Sequence, residues 1–408
     1  MMRTALIAWD YPPSPSGLST AAREIAESLV MQGCDVTVFT GDRSGTGVTN
    51  GVRVVGCEIP QRSRLGRMRR YAALGHLAAP LRFRDAVLAA HAETPFDVVE
   101  ATNWYAPAVL LAGRTGLPLV TRNSTPAAWS REAAQSPRNR FDSWAADRLE
   151  RRQAAGSAAL ISNTAEHGRR IETLYALAAA RGGRQQAHET IGLSLASSVL
   201  ERAARAAYPR GAGPLSILFV GRAEPRKGFH ELVEAVGLLA PLVERAELPD
   251  FRVALLGVPE ADLPANLDPA TRRHLNPLGR QPDGVLFDLY EAAHFVAAPS
   301  RYESFGLVYQ EAIAFGRPVV ASAEDPSARA FIGKTGAGLL AERTDAPSIA
   351  QQLRRLLQSE ELRSQVRRQA LEAAGTFTRA TLGEQTVALY RKAIANAAAS
   401  SRLDGSTQ

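Results

Sequence analysis

Three apolar segments follow one another in the first forty residues of the chain, with the spacing of a strand, a helix and a second strand. Residues 4–8 form a short apolar run, residues 18–29 carry apolar side chains at helical spacing, and residues 35–40 alternate as a half-buried strand does. This order predicts a βαβ unit, which places both strands in one parallel sheet with helices on its faces. Further strand patterns occur at residues 52–55, 97–99, 117–121 and 159–162. We therefore expect one doubly wound α/β domain over residues 1–195.

The same pattern starts again beyond a stretch of small and polar residues at 196–213. Residues 216–220 predict a strand, residues 229–239 a helix with one apolar face, and residues 251–256 the next strand. We therefore expect a second Rossmann-like domain at 214–377, with 196–213 as the linker. Ligands of open parallel sheets lie at the carboxyl ends of the strands, so a cleft between the two domains is the expected place for a site.

The overall composition fits a globular protein of two ordinary domains. The chain has 408 residues, of which 45% are hydrophobic and 22% are charged. No uninterrupted apolar run approaches the ~18 residues that a membrane span needs, and the amino terminus has no signal-peptide core. The two cysteines, Cys34 and Cys57, do not have metal-ligand spacing. We therefore expect a cytoplasmic protein without a disulfide framework.

The formal net charge of +7 is carried mainly by arginine. It indicates either a solvated arginine-rich surface or a surface that attracts phosphates or anionic lipid. The run Arg62–Arg84 holds seven of the arginines, together with apolar residues that share a rough helix face. This run predicts a solvated helix near the cleft, a contact for an acidic acceptor, or a segment that docks on an anionic membrane. Aromatic residues are not interleaved with the basic clusters, which argues against nucleic acid as a partner.

Two carboxylates, Glu303 and Glu311, lie eight residues apart around a Ser-Phe-Gly-Leu turn. The apolar spacing after the turn predicts a helix that ends near Gly316. A turn that opens a helix leaves backbone N–H groups without partners inside the helix, and such groups suit an anion such as a diphosphate. Carboxylates beside a bound diphosphate suit the hydroxyl groups of a sugar. Residues 299–322 are therefore a candidate nucleotide-sugar site.

A second candidate site lies at residues 221–232, directly after a predicted strand. Gly221 permits a turn at the end of the strand, and Arg222 and Lys227 bring two cations to the start of a helix. A diphosphate leaving group requires this neutralisation while its bond to the sugar breaks. Alone, an arginine and a lysine in a loop indicate a solvated surface, but together with residues 299–322 they favour a diphosphate site.

These two segments resemble the retaining GT-B glycosyltransferases, in particular glycosyltransferase family 4. That family carries a GR-x4-KG loop and an E-x7-E motif, which here are Gly221–Gly228 and Glu303–Glu311. The resemblance is specific over about residues 215–322 and covers nearly the whole chain in layout. It implies a GT-B fold: two Rossmann-like doubly wound domains facing a central cleft, with the acceptor at the first and the donor at the second. It also implies that a helix at about 378–398 packs back on the first domain.

The resemblance implies a role for each matched residue. Arg222 and Lys227 would hold the donor diphosphate and, with Glu303 beside the donor sugar, form the catalytic group. Glu311 would bind the ribose hydroxyls of the nucleotide. Further donor contacts are implied at Ser304, Phe305, Gly306 and Leu307 and, in the loop after the first strand, at Ser16 and Gly17.

The loop at residues 119–126 departs from the family pattern. Many members place a histidine in this loop, whereas this chain has Arg122, Asn123 and Ser124, which become the predicted acceptor-side residues. Neither Asn123 nor Ser124 acts as a general base at neutral pH. A front-face transfer needs no such base, because the departing diphosphate takes the proton of the acceptor. The sequence offers no candidate nucleophile for a double displacement, so the front-face route is expected by analogy with the family.

The sequence thus predicts a retaining, metal-independent hexosyltransferase that uses no cofactor. It would move a sugar from a nucleotide-diphosphate donor, a UDP-sugar before GDP-mannose, to a hydroxyl of a glycan, a lipid-linked acceptor or a small molecule. One alternative is a non-catalytic protein that binds a nucleotide sugar or a membrane surface, and another is a sugar-nucleotide epimerase or hydrolase. Arg62–Arg84 would attach the cytoplasmic protein to the inner face of the plasma membrane.

Overall fold

Two α/β units make up the chain, which passes from one to the other twice. The first unit is Met1–Ser194 with Arg379–Gln408, and the second is Leu195–Thr378. The computed structural model describes residues 1–14, 16–113, 116–131, 136–180, 186–211 and 213–405. Within these ranges, no helix combines the length and the apolar character that crossing a membrane requires.

The first unit is built on a sheet that is parallel except at one edge. Its elements up to the first crossing are β1 (Arg3–Ala8), α1 (Gly17–Met31), β2 (Asp35–Thr40), β3 (Thr46–Thr49), β4 (Val52–Gly56), α2 (Arg64–Met68), α3 (Ala78–Glu93), β5 (Val98–Thr102), β6 (Leu119–Arg122), α4 (Ala127–Ser130), α5 (Pro137–Gly156), β7 (Ala159–Ser162), α6 (Ala165–Leu174), α7 (Leu177–Ala180) and β8 (Ala187–Thr190). The strand order is β3-β4-β2-β1-β5-β6-β7-β8. The edge strand β3 pairs antiparallel with β4, and β1 is buried at the centre of the sheet because helices cover both faces.

The second unit has a sheet in which every described strand pair is parallel. Its elements are α8 (Ser197–Arg205), β9 (Leu215–Val220), α9 (Phe229–Glu244), β10 (Phe251–Leu256), α10 (Pro269–Arg272), β11 (Leu275–Gly279), α11 (Asp283–Ala292), β12 (Phe295–Ala298), α12 (Leu307–Ala314), β13 (Val319–Ser322), α13 (Pro326–Ala328), β14 (Gly338–Ala341), α14 (Ala346–Gln358) and α15 (Glu360–Ala373). The strand order is β11-β10-β9-β12-β13-β14. One apolar cluster packs on each face of the sheet.

The last helix, α16 (Arg379–Gly405), belongs to the first unit and packs against α1. Its first residue, Arg379, places Nε and Nη2 each 2.7 Å from the carboxylate oxygens of Glu24 on α1. Ser194, the last residue before the first crossing, donates its hydroxyl to Glu24 at 3.1 Å. The buried carboxylate of Glu24 therefore holds both ends of the first unit where the chain leaves it and returns to it.

The prediction of two α/β domains with parallel sheets is confirmed. The stretch 196–213, expected to be a linker, contains α8, and Ala203 of this helix joins an apolar cluster of the second unit. Val199 and Leu200 pack against the same cluster. The helix was not predicted, because a short segment rich in small and polar residues is also typical of a linker, although Val199, Leu200 and Ala203 have helical spacing.

Candidate functional site

Two loops of the second unit meet beyond the carboxyl ends of neighbouring strands. Residues 221–228 follow β9 and residues 299–306 follow β12, and these two strands pair. Gly228 has a φ of 66°, and a Cβ on it would lie 2.2 Å from the carbonyl oxygen of Pro299. Glycine alone tolerates this backbone conformation together with so close an approach. The structure therefore brings the two predicted motifs together through a backbone contact.

The centre of this contact is an ion pair between Lys227 and Glu303. Lys227 Nζ lies 2.5 Å from Glu303 Oε1, and the hydroxyl of Ser300 donates to the same oxygen at 2.7 Å. Arg226 Nη1 lies 3.5 Å from Glu303 Oε2. Burial by itself would raise the pKa of Glu303, but the charges of Lys227 and Arg226 outweigh it and hold this pKa below its ordinary value. Glu303, only 9% exposed, is therefore a fixed carboxylate at neutral pH.

Arg222, the other predicted cation, points elsewhere. Its side chain is 76% exposed and pairs with Glu224 at 2.8 Å. Arg226 takes the inner position instead, where Nη1 also donates to the carbonyl of Tyr302 at 2.9 Å. Arg226 was not predicted, because three basic residues in one loop give no sign of which side chain turns inward.

The turn before α12 has the geometry of an anion-binding helix start. Gly306 precedes the helix with a φ of 60°, and its carbonyl accepts the N–H groups of Tyr309 and Gln310 at 3.0 and 3.1 Å. The N–H groups of Leu307 and Val308 precede these bonds and therefore have no carbonyl partner within the helix. Phe305 lies before this turn, and Ser304 is buried beside Glu303.

Glu311 lies on α12 and is oriented by a buried tyrosine. The hydroxyl of Tyr290 donates to Glu311 Oε2 at 2.8 Å. Burial, and next the charge of Glu311, raise the pKa of Tyr290 well above its ordinary value, so this hydroxyl remains a donor. Arg317 Nε in turn donates to the carbonyl of Tyr290 at 2.8 Å. Tyr290 and Arg317 were not predicted, because a core tyrosine in an apolar helix gives no sequence signal of a polar contact.

A buried carboxylate that the sequence analysis missed, Asp325, lies behind Glu303. Its Oδ1 accepts the N–H of Glu303 at 3.1 Å, and its Oδ2 accepts the hydroxyl of Tyr309 at 2.7 Å. Burial, and next the charge of Glu303, raise the pKa of Asp325 to about 7. The available signal was the Asp-Pro-Ser sequence after β13, which is typical of a helix N-cap.

In the first unit, Ser16 and Gly17 form the start of α1. The Ser16 hydroxyl accepts the N–H of Ser19 at 3.0 Å as the N-cap and donates to Asp10 at 2.5 Å. Gly17 is the first helical residue, and a Cβ built on it has no neighbour within 4 Å among the described atoms. Ser16 therefore caps the helix, and the space in front of Gly17 is open.

Of the predicted acceptor-side residues, Arg122 has buried partners. Its Nε lies 2.7 Å from Glu100 and its Nη2 donates to Thr386 on α16 at 3.1 Å. Glu100 also accepts the hydroxyl of Tyr390 on α16 at 2.7 Å. Because Arg122 is only 3% exposed, its charge attaches α16 to the sheet and is not presented at the surface.

Asn123 and Ser124 are also buried, in a polar network at the carboxyl ends of β6 and β7. Asn123 Nδ2 donates to the hydroxyl of Ser162 at 3.0 Å, and the N–H of Ser124 donates to Asn103 Oδ1 at 2.6 Å. His167 lies near the backbone of Ser124, and its burial lowers its pKa to about 4. A neutral histidine thus lies beside this loop, although the loop itself contains none.

Glu150 on α5 connects the loops that follow β5 and β6, and it was not predicted. Its carboxylate accepts the N–H of Tyr105 at 2.8 Å, the N–H of Ala127 at 3.1 Å and the hydroxyl of Tyr175 at 2.9 Å. Burial raises its pKa to about 7. No periodicity marks a glutamate that turns inward from a mostly polar helix, so the sequence could not reveal this connection.

Two family models match the chain, one for each unit. The model described as Glycosyl transferases group 1 matches residues 201–373, and the model described as Glycosyl transferase 4-like domain matches residues 16–182.

Curated relatives extend the match over the chain. A D-inositol 3-phosphate glycosyltransferase of Kineococcus radiotolerans is 30% identical, over 94% of this chain and 92% of that protein. A D-inositol 3-phosphate glycosyltransferase of Corynebacterium glutamicum is 35% identical, but the match covers 47% of this chain and 46% of that protein. The chain thus spans about half the length of the Corynebacterium relative.

Solved structures share the fold of both units. The sucrose-phosphate synthase from Thermosynechococcus elongatus superposes with a TM-score of 0.70 at 20% identity, covering 97% of this chain and 100% of that one. An alpha,alpha-trehalose-phosphate synthase (UDP-forming) from Burkholderia vietnamiensis superposes with a TM-score of 0.67 at 14% identity, covering 97% and 98%. At these identities the likeness concerns the fold, and it confirms the predicted GT-B type.

Proposed function

The chain belongs to the glycosyl transferases group 1 family, and from this premise we propose that it is a retaining glycosyltransferase with a nucleotide-diphosphate sugar as donor. The observation that carries the proposal is the ion pair of Lys227 and Glu303 beside the start of α12. Three kinds of group lie close together there. Lys227 is a cation for the diphosphate, Glu303 is a carboxylate for sugar hydroxyls, and the helix start offers N–H groups to phosphate oxygens.

The chemistry that these groups support is a front-face substitution. The acceptor oxygen forms its bond to the anomeric carbon on the face from which the diphosphate leaves, and the acceptor proton passes to the departing phosphate oxygen. Lys227, with Arg226 beside it, stabilises the negative charge that develops on the diphosphate. Arg222 would add its charge only by leaving its pair with Glu224. Glu303 is ionised, so it accepts hydrogen bonds from the donor sugar and fixes its orientation.

A UDP-sugar is the first donor that we propose, and GDP-mannose is the second. The trehalose-phosphate synthase that shares the fold is named as UDP-forming, which supports this order. The two relatives described above are named for D-inositol 3-phosphate, so this compound is the first acceptor to try. We also propose that transfer needs no divalent ion, because the basic loop supplies the countercharge of the diphosphate.

The proposal is tested by a donor and acceptor panel on the full chain. UDP or GDP should raise the melting temperature by mass action, and an α-linked donor should give an α-linked product by NMR at the same rate with or without EDTA. Binding without any turnover would favour a nucleotide-sugar binding protein. Donor that is epimerised or hydrolysed without transfer would favour the other enzyme classes, a β-linked product would contradict retention, and loss of activity in EDTA would contradict metal independence.

We further propose that the first unit docks on anionic membranes through a surface that we call the arginine–aromatic patch. Leu65 and Met68 of the predicted segment pack against the core, so they are not the docking residues. The patch consists of the exposed side chains of Tyr71, Leu74, Phe141 and Trp144, together with the exposed Arg64, Arg67, Arg69 and Arg70 that precede Tyr71 in the chain. Arg138 joins its two halves by donating to the carbonyl of Arg70 at 2.8 Å. Exposed aromatic rings among arginines suit the interface of an anionic bilayer.

Replacing both Phe141 and Trp144 with serine should weaken binding to phosphatidylglycerol vesicles by about tenfold or more, because two aromatic side chains no longer enter the interface. Vesicle sedimentation at two salt concentrations measures this, and phosphatidylcholine vesicles should bind little. The matched control is the pair Met31→Ser and Val48→Ser, which are 61% and 74% exposed in the same unit. Equal binding by the patch variant and the control would contradict the docking surface.

A further inference from the structure

The segment between β13 and α13 contacts Glu303 from behind, on the backbone. Asp325 Oδ1 accepts the N–H of Glu303 at 3.1 Å, and the hydroxyl of Ser327 donates to the carbonyl of Glu303 at 2.6 Å. The two peptide groups that flank Glu303 are thus held by two residues of one short segment. The carboxylate of Glu303 has other partners, which are Lys227, Ser300 and Arg226.

We propose that Asp325 and Ser327 are positioning residues for Glu303: by fixing the peptide groups on both sides of it, they set where its carboxylate meets the donor sugar. The inference rests on the proposed function, since it assigns to two further residues a part in the same transfer. A carboxylate that must meet defined hydroxyls gains from a fixed backbone, because a displacement of about 1 Å is enough to cost ~10²-fold in rate.

Asp325 is itself rigidly held, which a positioning residue requires. Its Oδ1 also accepts the N–H of Ser327 at 3.0 Å, and its Oδ2 accepts the hydroxyl of Tyr309 on α12 at 2.7 Å. All three side chains are fully buried. Because Tyr309 belongs to the helix whose start faces the proposed diphosphate, Asp325 connects the carboxylate and the helix start in one rigid arrangement.

A test has to distinguish the effect of the charge of Asp325 from the effect of its hydrogen bonds. Among the described residues, the ionisable groups that interact with it are Glu303 and Tyr309, and the cations Lys227 and Arg226 pair with the carboxylate of Glu303. An asparagine at position 325 keeps an acceptor oxygen for both backbone N–H groups, and its amide N–H donates to the oxygen of Tyr309. Asp325→Asn therefore removes the charge and keeps the contacts, whereas Asp325→Ala removes both.

We expect Asp325→Ala to lower kcat for sugar transfer by about 10²-fold, with the KM of the acceptor unchanged. Ser327→Ala should lower kcat in the same direction by less, because one of the two peptide contacts remains. Asp325→Asn should restore transfer to within a few fold of wild type. The matched control is Asp345→Ala, since Asp345 caps α14 by accepting the N–H of Ser348 at 2.9 Å but lies outside this network. Asp345→Ala should lower the free energy of unfolding, because α14 loses its N-cap, and should leave kcat unchanged.

Hydrogen exchange measures the backbone contacts without any turnover. In Asp325→Ala the amide of Glu303 loses its acceptor, so a peptide that spans residues 300–305 should exchange faster, and in Asp325→Asn it should exchange as in wild type. The inference would be overturned if Asp325→Ala showed wild-type exchange or a wild-type kcat. It would also be overturned if the kcat of Asp325→Asn were as low as that of Asp325→Ala. A wild-type protein without transfer to any acceptor would instead contradict the proposed function. If Asp325→Ala does not fold, Ser327→Ala decides by kcat: a wild-type kcat in that variant, which lacks the donor to the Glu303 carbonyl, would overturn the inference.

Discussion

Replacing Glu303 with glutamine is expected to lower the rate of sugar transfer by roughly 10²–10³-fold, the cost typical of losing one preorganised polar contact at a reacting centre. Glutamine has the same shape, and its amide oxygen still accepts the hydrogen bonds that Lys227 and Ser300 now donate to the carboxylate. The fold should therefore be kept. What disappears is the negative charge that strengthens hydrogen bonds from the donor sugar.

The same substitution should not weaken the binding of UDP. Without the carboxylate, the charge of Lys227 is no longer neutralised in place, so the affinity for a diphosphate should stay equal or rise. Steady-state kinetics give kcat, and calorimetric titration gives the Kd of UDP. Glu260→Gln is the control, because Glu260 pairs with Arg272 and is 66% exposed. Transfer at the wild-type rate would contradict the role of Glu303. A parallel loss of UDP binding would indicate that Glu303 contacts the nucleotide and not the donor sugar.

The sheet topology explains how much of this site was predictable. Lys227 and Glu303 are 76 residues apart, yet the order of strands and helices predicts that the loops after neighbouring parallel strands meet at one edge. Gly228 adds a second constraint, since a loop that approaches the Pro299 carbonyl so closely needs a glycine. The meeting of the two motifs therefore followed from backbone rules, which a sequence expresses well.

Side-chain direction and long-range contact did not follow from those rules. Arg222 and Arg226 lie in the same loop, and contacts with the distant Tyr302 and Glu303 distinguish Arg226, which turns inward, from Arg222. Arg122 has the right place in its loop for an acceptor contact, but its partner Thr386 lies 264 residues away on α16. Asp325 reaches Glu303 from a third strand end. Such contacts depend on how separate elements pack, which no local pattern encodes.

Replacing Lys227 with alanine is expected to lower both transfer and stability, and the two losses have separate causes. Transfer should fall by roughly 10²–10³-fold, because the cation that faces the leaving diphosphate is gone. The free energy of unfolding should fall by about 2–4 kcal/mol at neutral pH, because Glu303, whose side chain is 11% exposed, would stay charged without its main partner. Lys334→Ala, an exposed lysine of the same unit, is the control for both measurements.

The pH dependence and a double variant separate these causes. In the wild type the pKa of Glu303 is held below the ordinary value of 4.5, so the stability that this shift contributes is present above pH 4.5 and is lost as the pH falls through the folded pKa. The stability difference between wild type and Lys227→Ala should therefore be largest at neutral pH and shrink below about pH 4.5.

The double variant Lys227→Ala/Glu303→Gln should regain much of the stability, because no unpaired charge remains, but none of the transfer. A stability difference that is constant with pH would mean that Lys227 stabilises the unit by packing, and recovery of transfer in the double variant would mean that it acts only by neutralising Glu303.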